Sequence, residues 1–356
     1  MFKRMNVWIV LIALIVLIKC WALNPVFVET TYSQSFYPLI SNLLRILTGW
    51  IPFSLGDLLY ALAVILLTRV ILKWFSRLKQ QKSNRDFWKE TGAGVLKYVL
   101  VIYIVFNVFW GLNYNRAGVA FQFQLKDTAI SKEDLSSLMY WLRDRVNETE
   151  AAAHANRSQL KNMDYIYSGA IDAYSVIKIK HPFLEYKHPS VKSSLFGVMG
   201  NYFGYTGYYN PFTGEAQVNT KVPSFVLPFT TCHEIGHQLG YAKENEANFS
   251  GFLAAAASKD PLFNYSVYLD LYMYGRPYLY RSDSIQLKKI DSSLSPAVKD
   301  DFKELQQFYK KYENPVEKVI DFWYGQFLKA NQQPDGKITY SRVILWLQEY
   351  ERKYKH

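Results

Sequence analysis

Three apolar stretches near the start of this 356-residue sequence restrict its fold more than any other feature. They cover about residues 6–23, 55–74 and 95–113, and each approaches the roughly 20 residues with which a helix crosses a bilayer. Since lipid offers no hydrogen-bond partners, such stretches must form helices that satisfy their own backbone groups. The sequence therefore predicts that residues 1–115 are a membrane anchor with three transmembrane helices.

The flanks of the first stretch add two expectations. The stretch could be a cleaved signal peptide, but no A-x-A site follows it, and we favour an uncleaved anchor. Residues 25–53 carry one acid, Glu29, and one base, Arg45. Their apolar residues around Leu39–Leu47 recur at helical spacing, so we expect one amphipathic helix in this loop.

The distribution of positive charge predicts the orientation. The N-terminus carries Lys3 and Arg4, and residues 75–90 form a basic loop. Because basic loops stay in the cytoplasm, three crossings place residues 116–356 on the periplasmic side of the inner membrane. The net charge of +11 is then a topology signal that meets anionic lipid, and we expect no nucleic-acid partner because the sequence has no nucleic-acid-binding module.

The strongest signal for chemistry is the stretch His233-Glu-Ile-Gly-His237. On a helix, residues four apart share one face, so both imidazoles can reach one zinc ion. Glu234 then lies beside the metal, where a carboxylate can take a proton from a water molecule that zinc activates. Thr230 or Thr231 is placed to cap this helix, and Gly240 to end it.

A catalytic zinc needs a third protein ligand, and a second helix after Gly240 offers Glu244 and Glu246. Since residues two apart on a helix face different ways, only one of them is expected to bind the metal. We favour Glu246, because it starts a Glu-Ala-Asn-Phe run that leads into an apolar face. Glu244, with Asn248 four residues on, remains the alternative.

Residues 116–356 are expected to form a mainly α, zincin-like α+β domain with a small sheet. Glu215–Asn219 has the pattern of a short strand, which is either an edge that pairs with an extended peptide or part of a hairpin that braces the metal helix. Tyr340 and Arg342 are candidates to stabilise the oxyanion of a tetrahedral intermediate. A structural role is the other interpretation of both.

The sequence resembles a family of Bacteroidota membrane proteins that is catalogued as domain of unknown function 3810. The resemblance covers nearly the whole chain and implies no substrate. It rests on the three apolar stretches, Pro52-Phe-Ser-Leu-Gly-Asp57, Trp110-Gly-Leu-Asn-Tyr114, the H-E-I-G-H-Q-L-G helix, the E-x-E-A-N-F run and the late L-K-A-N…Y-S-R segment.

At the level of the metal motif alone, the sequence is also similar to the gluzincin metallopeptidases. That similarity implies zinc at His233 and His237 and at Glu244 or Glu246, with Glu234 as the base. The gap between the motif and these glutamates is shorter than in many gluzincins, which leaves the third ligand open.

The function expected from these features is that of a membrane-anchored zinc metallopeptidase that hydrolyses envelope proteins or peptides. Two other functions remain open at this point. The protein could bind zinc without turnover, as a membrane sensor or assembly protein, and would then tolerate the loss of Glu234. It could also be a structural membrane protein without metal, which would tolerate the loss of His237. The oligomeric state is not predicted.

Overall fold

The computed structural model describes residues 2–80, 85–125, 130–331 and 341–354, and shows a mainly helical protein with one small sheet. The helices of the first third are α1 (Phe2–Ala22), α2 (Pro25–Val28), α3 (Tyr37–Thr48), α4 (Leu55–Gln80) and α5 (Arg85–Phe109). A π-helical segment, Glu29–Phe36, joins α2 to α3, and a 3-10 turn, Gly111–Asn115, follows α5.

The rest of the chain adds eleven helices in the described ranges. They are α6 (Gly118–Phe123), α7 (Lys132–Asn156), α8 (Met163–Lys180), α9 (Gly197–Phe203), α10 (Leu227–Gln238), α11 (Glu244–Ala257), α12 (Pro261–Ser282), α13 (Ser284–Ser292), α14 (Pro296–Tyr312), α15 (Pro315–Ala330) and α16 (Ser341–Tyr354). The strands are β1 (Val191–Ser193), β2 (Gly207–Asn210) and β3 (Glu215–Val218).

Among the described residues, two helices are long and apolar enough to cross a membrane, over Leu55–Leu78 and Arg85–Phe109. Val7–Ala22 and Pro25–Thr48, which meet at 104°, meet the same criterion together, either as a third, broken span or as a re-entrant segment. The second predicted stretch therefore corresponds to α4. The third overlaps α5 but differs in its bounds, since the helix begins at Arg85 and ends at Phe109, before a tight turn.

The amphipathic helix expected around Leu39–Leu47 corresponds to α3, but its faces are reversed relative to a helix on a water-soluble protein. Its buried residues include Ser41 and Arg45, which pack on the protein. Leu39 and Leu43 lie on the opposite face and are exposed. This helix therefore turns polar side chains inward and leucines outward.

The sheet has the order β1-β3-β2, with β1 parallel and β2 antiparallel to β3. The strand expected at Glu215–Asn219 is present as β3, but it is the central strand, so both of its edges are already paired. Among the described residues, the edge on the α10 side is β2. Glu215 also accepts hydrogen bonds from the backbone N–H groups of Leu55 and Gly56, at 3.1 and 2.6 Å, which ties the sheet to the start of α4.

Within the described ranges, buried apolar side chains form two clusters. The main core joins α7, α8, α10, α11, α12 and α16, with residues such as Leu142, Ile235 and Phe249. The second, which we call the anchor cluster, consists of Ile18, Val28, Tyr32, Tyr37, Trp110, Leu112, Tyr114, Tyr209 and Ala242. It contains residues from both sides of the boundary predicted at residue 115, which stays a prediction.

Candidate metal centre

Helix α10 carries both histidines of the motif. It begins at Leu227, with Pro228 in its first turn, rather than at a threonine cap; Thr231 is inside the helix and its hydroxyl bonds the carbonyl of Leu227. The earlier start follows from the fixed φ of proline, which suits the first helical turn. The helix ends before Gly240, whose φ of 87° turns the chain into the loop before α11, as expected.

Hydrogen bonds fix the orientation of both imidazole rings. The Nδ1 atom of His233 lies 2.6 Å from Oδ1 of Asn248, and that of His237 lies 2.7 Å from the carbonyl oxygen of Tyr241. Because both partners are acceptors, each Nδ1 carries a proton, and in the neutral ring each Nε2 then keeps its lone pair. This is the tautomer that a metal ligand requires.

Glu244 completes a three-residue cluster with the histidines. Its Oε2 atom lies 3.4 Å from Nε2 of His233 and 3.8 Å from Nε2 of His237. One ligand atom from each of the three residues lies within 4.8 Å of the other two. Two imidazole nitrogens and one carboxylate form a donor set suited to zinc, and the three side chains converge as a cation would require.

Glu246, the preferred third ligand from sequence, points elsewhere. Its Oε1 atom lies 3.6 Å from Nζ of Lys243 and packs against Gly118, where an added Cβ would lie 1.8 Å away. The preference therefore disagrees with the geometry, which instead brings the alternative, Glu244, to the histidines. The physical reason is that α11 begins at Glu244, so the first residue of the helix, not the third, faces α10.

Glu234 is buried at the same place. A Cβ added to Gly207 of β2 would lie 2.5 Å from Oε1 of Glu234, so only glycine lets the strand pass this close. Burial raises the pKa of Glu234 to about 7, against the opposing charges of His233 and His237. Its Oε2 atom has no hydrogen-bond partner among the described residues. A carboxylate with a near-neutral pKa and a free oxygen is suited to proton transfer.

The charges of the cluster depend on one another. Burial alone would lower the pKa of His233, but Glu244 and Glu234 outweigh it and raise the pKa to about 9. Burial would likewise raise the pKa of Glu244, but its bonds to the two histidines hold it well below the usual range. Without a cation, the carboxylate of Glu244 therefore favours a proton on His233. A bound cation would take the place of that proton.

These side chains open into a cavity of about 720 Å³. Its walls come from α10 to α12, the edge strand β2, the start of α4, the end of α5, and α14 and α15. The lining residues include Tyr60, Phe106, Trp110, Tyr114, Gly207, Tyr208, Phe212, Glu234, Asn248, Asp270, Tyr309, Ile320 and Phe327. Aromatic side chains dominate, and no lysine or arginine lines the cavity among the described residues.

Asp270 of α12 adds a third carboxyl group to this cavity. Burial raises its pKa to about 7, although the charge of His233 opposes the shift. Its Oδ2 atom is buried and has no hydrogen-bond partner among the described residues. Asp270 was not identified from sequence, because a single aspartate in an aromatic helix carries no recognisable pattern.

The two predicted oxyanion residues are not found at the centre. Tyr340 lies outside the described residues. Arg342 is on α16, which packs against α11 and α12, and it does not line the cavity. Tyrosines that do line the cavity, Tyr114 and Tyr309 among them, are the hydroxyl donors that the fold brings near the histidines.

The anchor segments hold the C-terminal end of α10. The hydroxyls of Tyr37 and Ser41 and the guanidinium of Arg45 all donate to the carbonyl oxygen of Gln238, at 2.9, 3.1 and 3.1 Å. Trp110 lies edge-on to His237, with 6.1 Å between ring centroids. These contacts were missed from sequence, although Arg45 was the lone base in an otherwise apolar segment and so signalled a buried partner.

A second bond network lies beside the first. Arg116 donates to Glu29 through two nitrogens, at 2.5 and 2.9 Å, and to the carbonyl oxygen of Gly240 at 2.9 Å. Both side chains are buried. The loop that follows α10, which we call the metal helix because it carries His233 and His237, is therefore fixed by a buried ion pair. This ion pair spans the predicted boundary between the anchor and the domain.

A family model described as "Protein of unknown function (DUF3810)" matches residues 32–348. The chain belongs to this family. The match begins before α3 and ends within α16, so α3, Arg116 and α10 all fall within the matched residues. No curated protein and no solved structure matches the chain.

Proposed function

We propose that this protein is a membrane-anchored zinc metallopeptidase. The convergence of His233, His237 and Glu244, with Glu234 beside them in a large cavity, carries the proposal. The two histidines and Glu244 would hold the zinc, and the Nδ1 bonds to Asn248 and Tyr241 support that assignment. When bound there, zinc supplies a Lewis acid that polarises the scissile carbonyl and makes a water molecule more acidic.

The residues of the chain itself then perform the proton transfers. The free Oε2 atom of Glu234 accepts a proton from the attacking water, and the carboxyl group later returns it to the leaving amine. A pKa of about 7 permits both steps near neutral pH. Strand β2, which lies at an edge of the sheet among the described residues, passes Glu234 and is placed to pair with an extended peptide backbone.

The orientation of the cavity follows from the positive charge of the chain. If the basic residues at the start of α1, at the end of α4 and at the start of α5 stay in the cytoplasm, then the start of α4, the end of α5 and the metal centre lie on the periplasmic side. We therefore place the substrates among envelope proteins or peptides.

The experiment that tests the function uses the full chain in detergent or lipid, since α3 and Arg116 reach the metal helix. We expect about one zinc per chain in the wild type, and loss of zinc in His237→Ala and Glu244→Gln. The matched variant Glu246→Gln should keep its zinc. Zinc loss in Glu246→Gln and not in Glu244→Gln would reverse the assignment of the third ligand, and a wild type without zinc after supply of the metal would exclude the enzyme.

Activity is tested with Glu234→Gln. This variant should keep zinc and lose peptide hydrolysis by roughly 100-fold or more, because a general base typically contributes 10²–10⁴-fold. Hydrolysis at the wild-type rate in Glu234→Gln would exclude the proposed base. Zinc without hydrolysis of any peptide in the wild type would favour a sensor or assembly role.

A further inference from the structure

We propose that the cavity lies at the level of the bilayer surface and takes polypeptide segments that adjoin a membrane anchor. The inference rests on the proposed peptidase function, and it names the substrate class: proteins or peptides tethered to the same membrane, cut close to the tether. Three features of the fold carry it.

The first feature is the part of each span that lines the cavity. Tyr60 lies in the second turn of α4, and Phe106 lies in the last turn of α5. At 1.5 Å per residue, Tyr60 is roughly 8 Å along α4 from its start, and Phe106 roughly 5 Å before the end of α5. Trp110, which directly follows α5, contacts the ring of His237. The metal centre is therefore adjacent to the ends of the apolar spans.

The second feature is the reversed amphipathic helix α3. Its polar face, with Ser41 and Arg45, bonds the end of the metal helix. On the other face Leu39 is 69% exposed and Leu43 57% exposed, and Trp50 beyond the helix is 78% exposed. Such a face is unfavourable in water and suits the boundary between headgroups and acyl chains. The metal helix is thus bonded directly to a helix that fits the membrane surface.

The third feature is α15, which forms another wall of the cavity. Phe327 contacts Phe106 of α5, with 6.3 Å between ring centroids, and Ile320 lines the cavity. Beside these residues Trp323 is 66% exposed, and Phe322, further round the helix, is 59% exposed. Because Phe327 joins α15 to α5, a bilayer around α5 would reach these side chains as well. A bilayer is therefore favoured over a second copy of the chain as the occupant of both faces.

A cavity in this position selects substrates by their distance from the membrane. A peptide held a few residues from its own anchor would present its backbone at the height of the metal centre. A peptide on a long spacer does not benefit from the short distance between the metal centre and the membrane, because its effective concentration at the site falls with spacer length. A site raised well above the membrane would instead need a long spacer to be reached.

The position is tested without reference to activity. In a Cys20→Ser background, nitroxide labels at Leu43→Cys and Trp323→Cys in nanodiscs should be relaxed by oxygen and shielded from an aqueous nickel chelate. A label at Ile285→Cys, an exposed aliphatic position on α13 (80% exposed), is the control and should respond to the aqueous agent. Aqueous exposure of the first two labels, or spin–spin coupling between copies, would overturn the membrane assignment.

The substrate class is tested with the full chain in liposomes. One cleavable sequence is presented free, or joined to a transmembrane anchor through spacers of increasing length. We expect the shortest spacers to be cut at least about tenfold faster than the longest at equal surface density. A maximum at long spacers, or equal rates for all of them, would overturn the inference while leaving the peptidase in place; no cleavage of any form, free or tethered, would count against the peptidase itself.

Discussion

The main core and the anchor cluster hold the metal helix by different means. The main core contacts α10 through apolar side chains such as Ile235, and the stabilisation is distributed over many buried residues. The anchor cluster lies at the end of α10 and is accompanied by buried polar bonds, above all those of Arg45 and Arg116. Apolar packing is roughly proportional to area and tolerates substitution, whereas a buried polar group is costly once its partner is lost. A truncation in the main core should therefore lower stability alone, whereas the loss of an anchor contact should lower stability and also disturb the site.

The largest effect is expected from Arg116→Met. This change leaves Glu29 buried without a partner, which should lower the free energy of unfolding by about 3–5 kcal/mol and loosen the loop at Gly240. Denaturant unfolding in micelles and zinc affinity provide the measurements. Adding Glu29→Gln to this variant should restore part of the stability, because no unpaired charge then remains. Equal losses in the single and double variants would contradict the role of the ion pair.

A truncation in the main core should be almost as costly but should leave the metal centre intact. Leu142 of α7 is fully buried, and Leu142→Ala should lower the free energy of unfolding by about 3 kcal/mol through lost contacts and a cavity. At low temperature its zinc content should equal that of the wild type. A loss of zinc from the folded variant would show that the two clusters are not separate in function.

Asp270→Asn tests a polar group on the main-core side whose buried Oδ2 atom has no hydrogen-bond partner in the part of the chain that the structure describes. Burial raises the pKa of Asp270 from 3.8 to about 7, so the folded protein binds this proton more tightly than the unfolded chain does. Stability from this group is therefore lost as the pH rises from about 4 to 7. Between pH 5 and 7 the wild type should lose about 2–3 kcal/mol that the asparagine variant keeps.

Thermal unfolding at both pH values checks this, with a chelator present because a bound cation would stabilise the carboxylate. Asp172→Asn, at an exposed position on α8, is the matched control and should follow the wild type. The same pH dependence in Asp270→Asn and the wild type would show that Asp270 is partnered in solution.

The smallest effect is expected from Ser41→Ala. It removes one of three donors to the carbonyl oxygen of Gln238, so the loss should be about 1 kcal/mol. Zinc affinity is measured by competition with a chelator. If it falls by more than the loss of stability accounts for, the anchor contacts act mainly on the site. A loss near 3 kcal/mol would mean that the three donors cannot replace one another.

Much of the site could be predicted from sequence, because its signals are local. His233, Glu234 and His237 are joined by helical spacing, and one helix brings them together whatever the rest of the chain does. The apolar span α4 and the short strand β3 also follow from local sequence patterns. The amphipathic pattern of α3 could also be predicted from sequence, but the sequence did not show that its leucines face away from the protein.

Only the tertiary structure decided which glutamate joins the histidines, that β3 is the central strand of the sheet, and what holds α10 in place. Glu244 and Glu246 differ by two positions, and the angle at which α11 leaves the turn at Gly240 determines which one faces α10. The contacts of Arg45 with Gln238 and of Glu29 with Arg116 join residues far apart in sequence. The sequence determined which residues can do the chemistry, because helical spacing is local, while the packing of distant segments decided which of them meet.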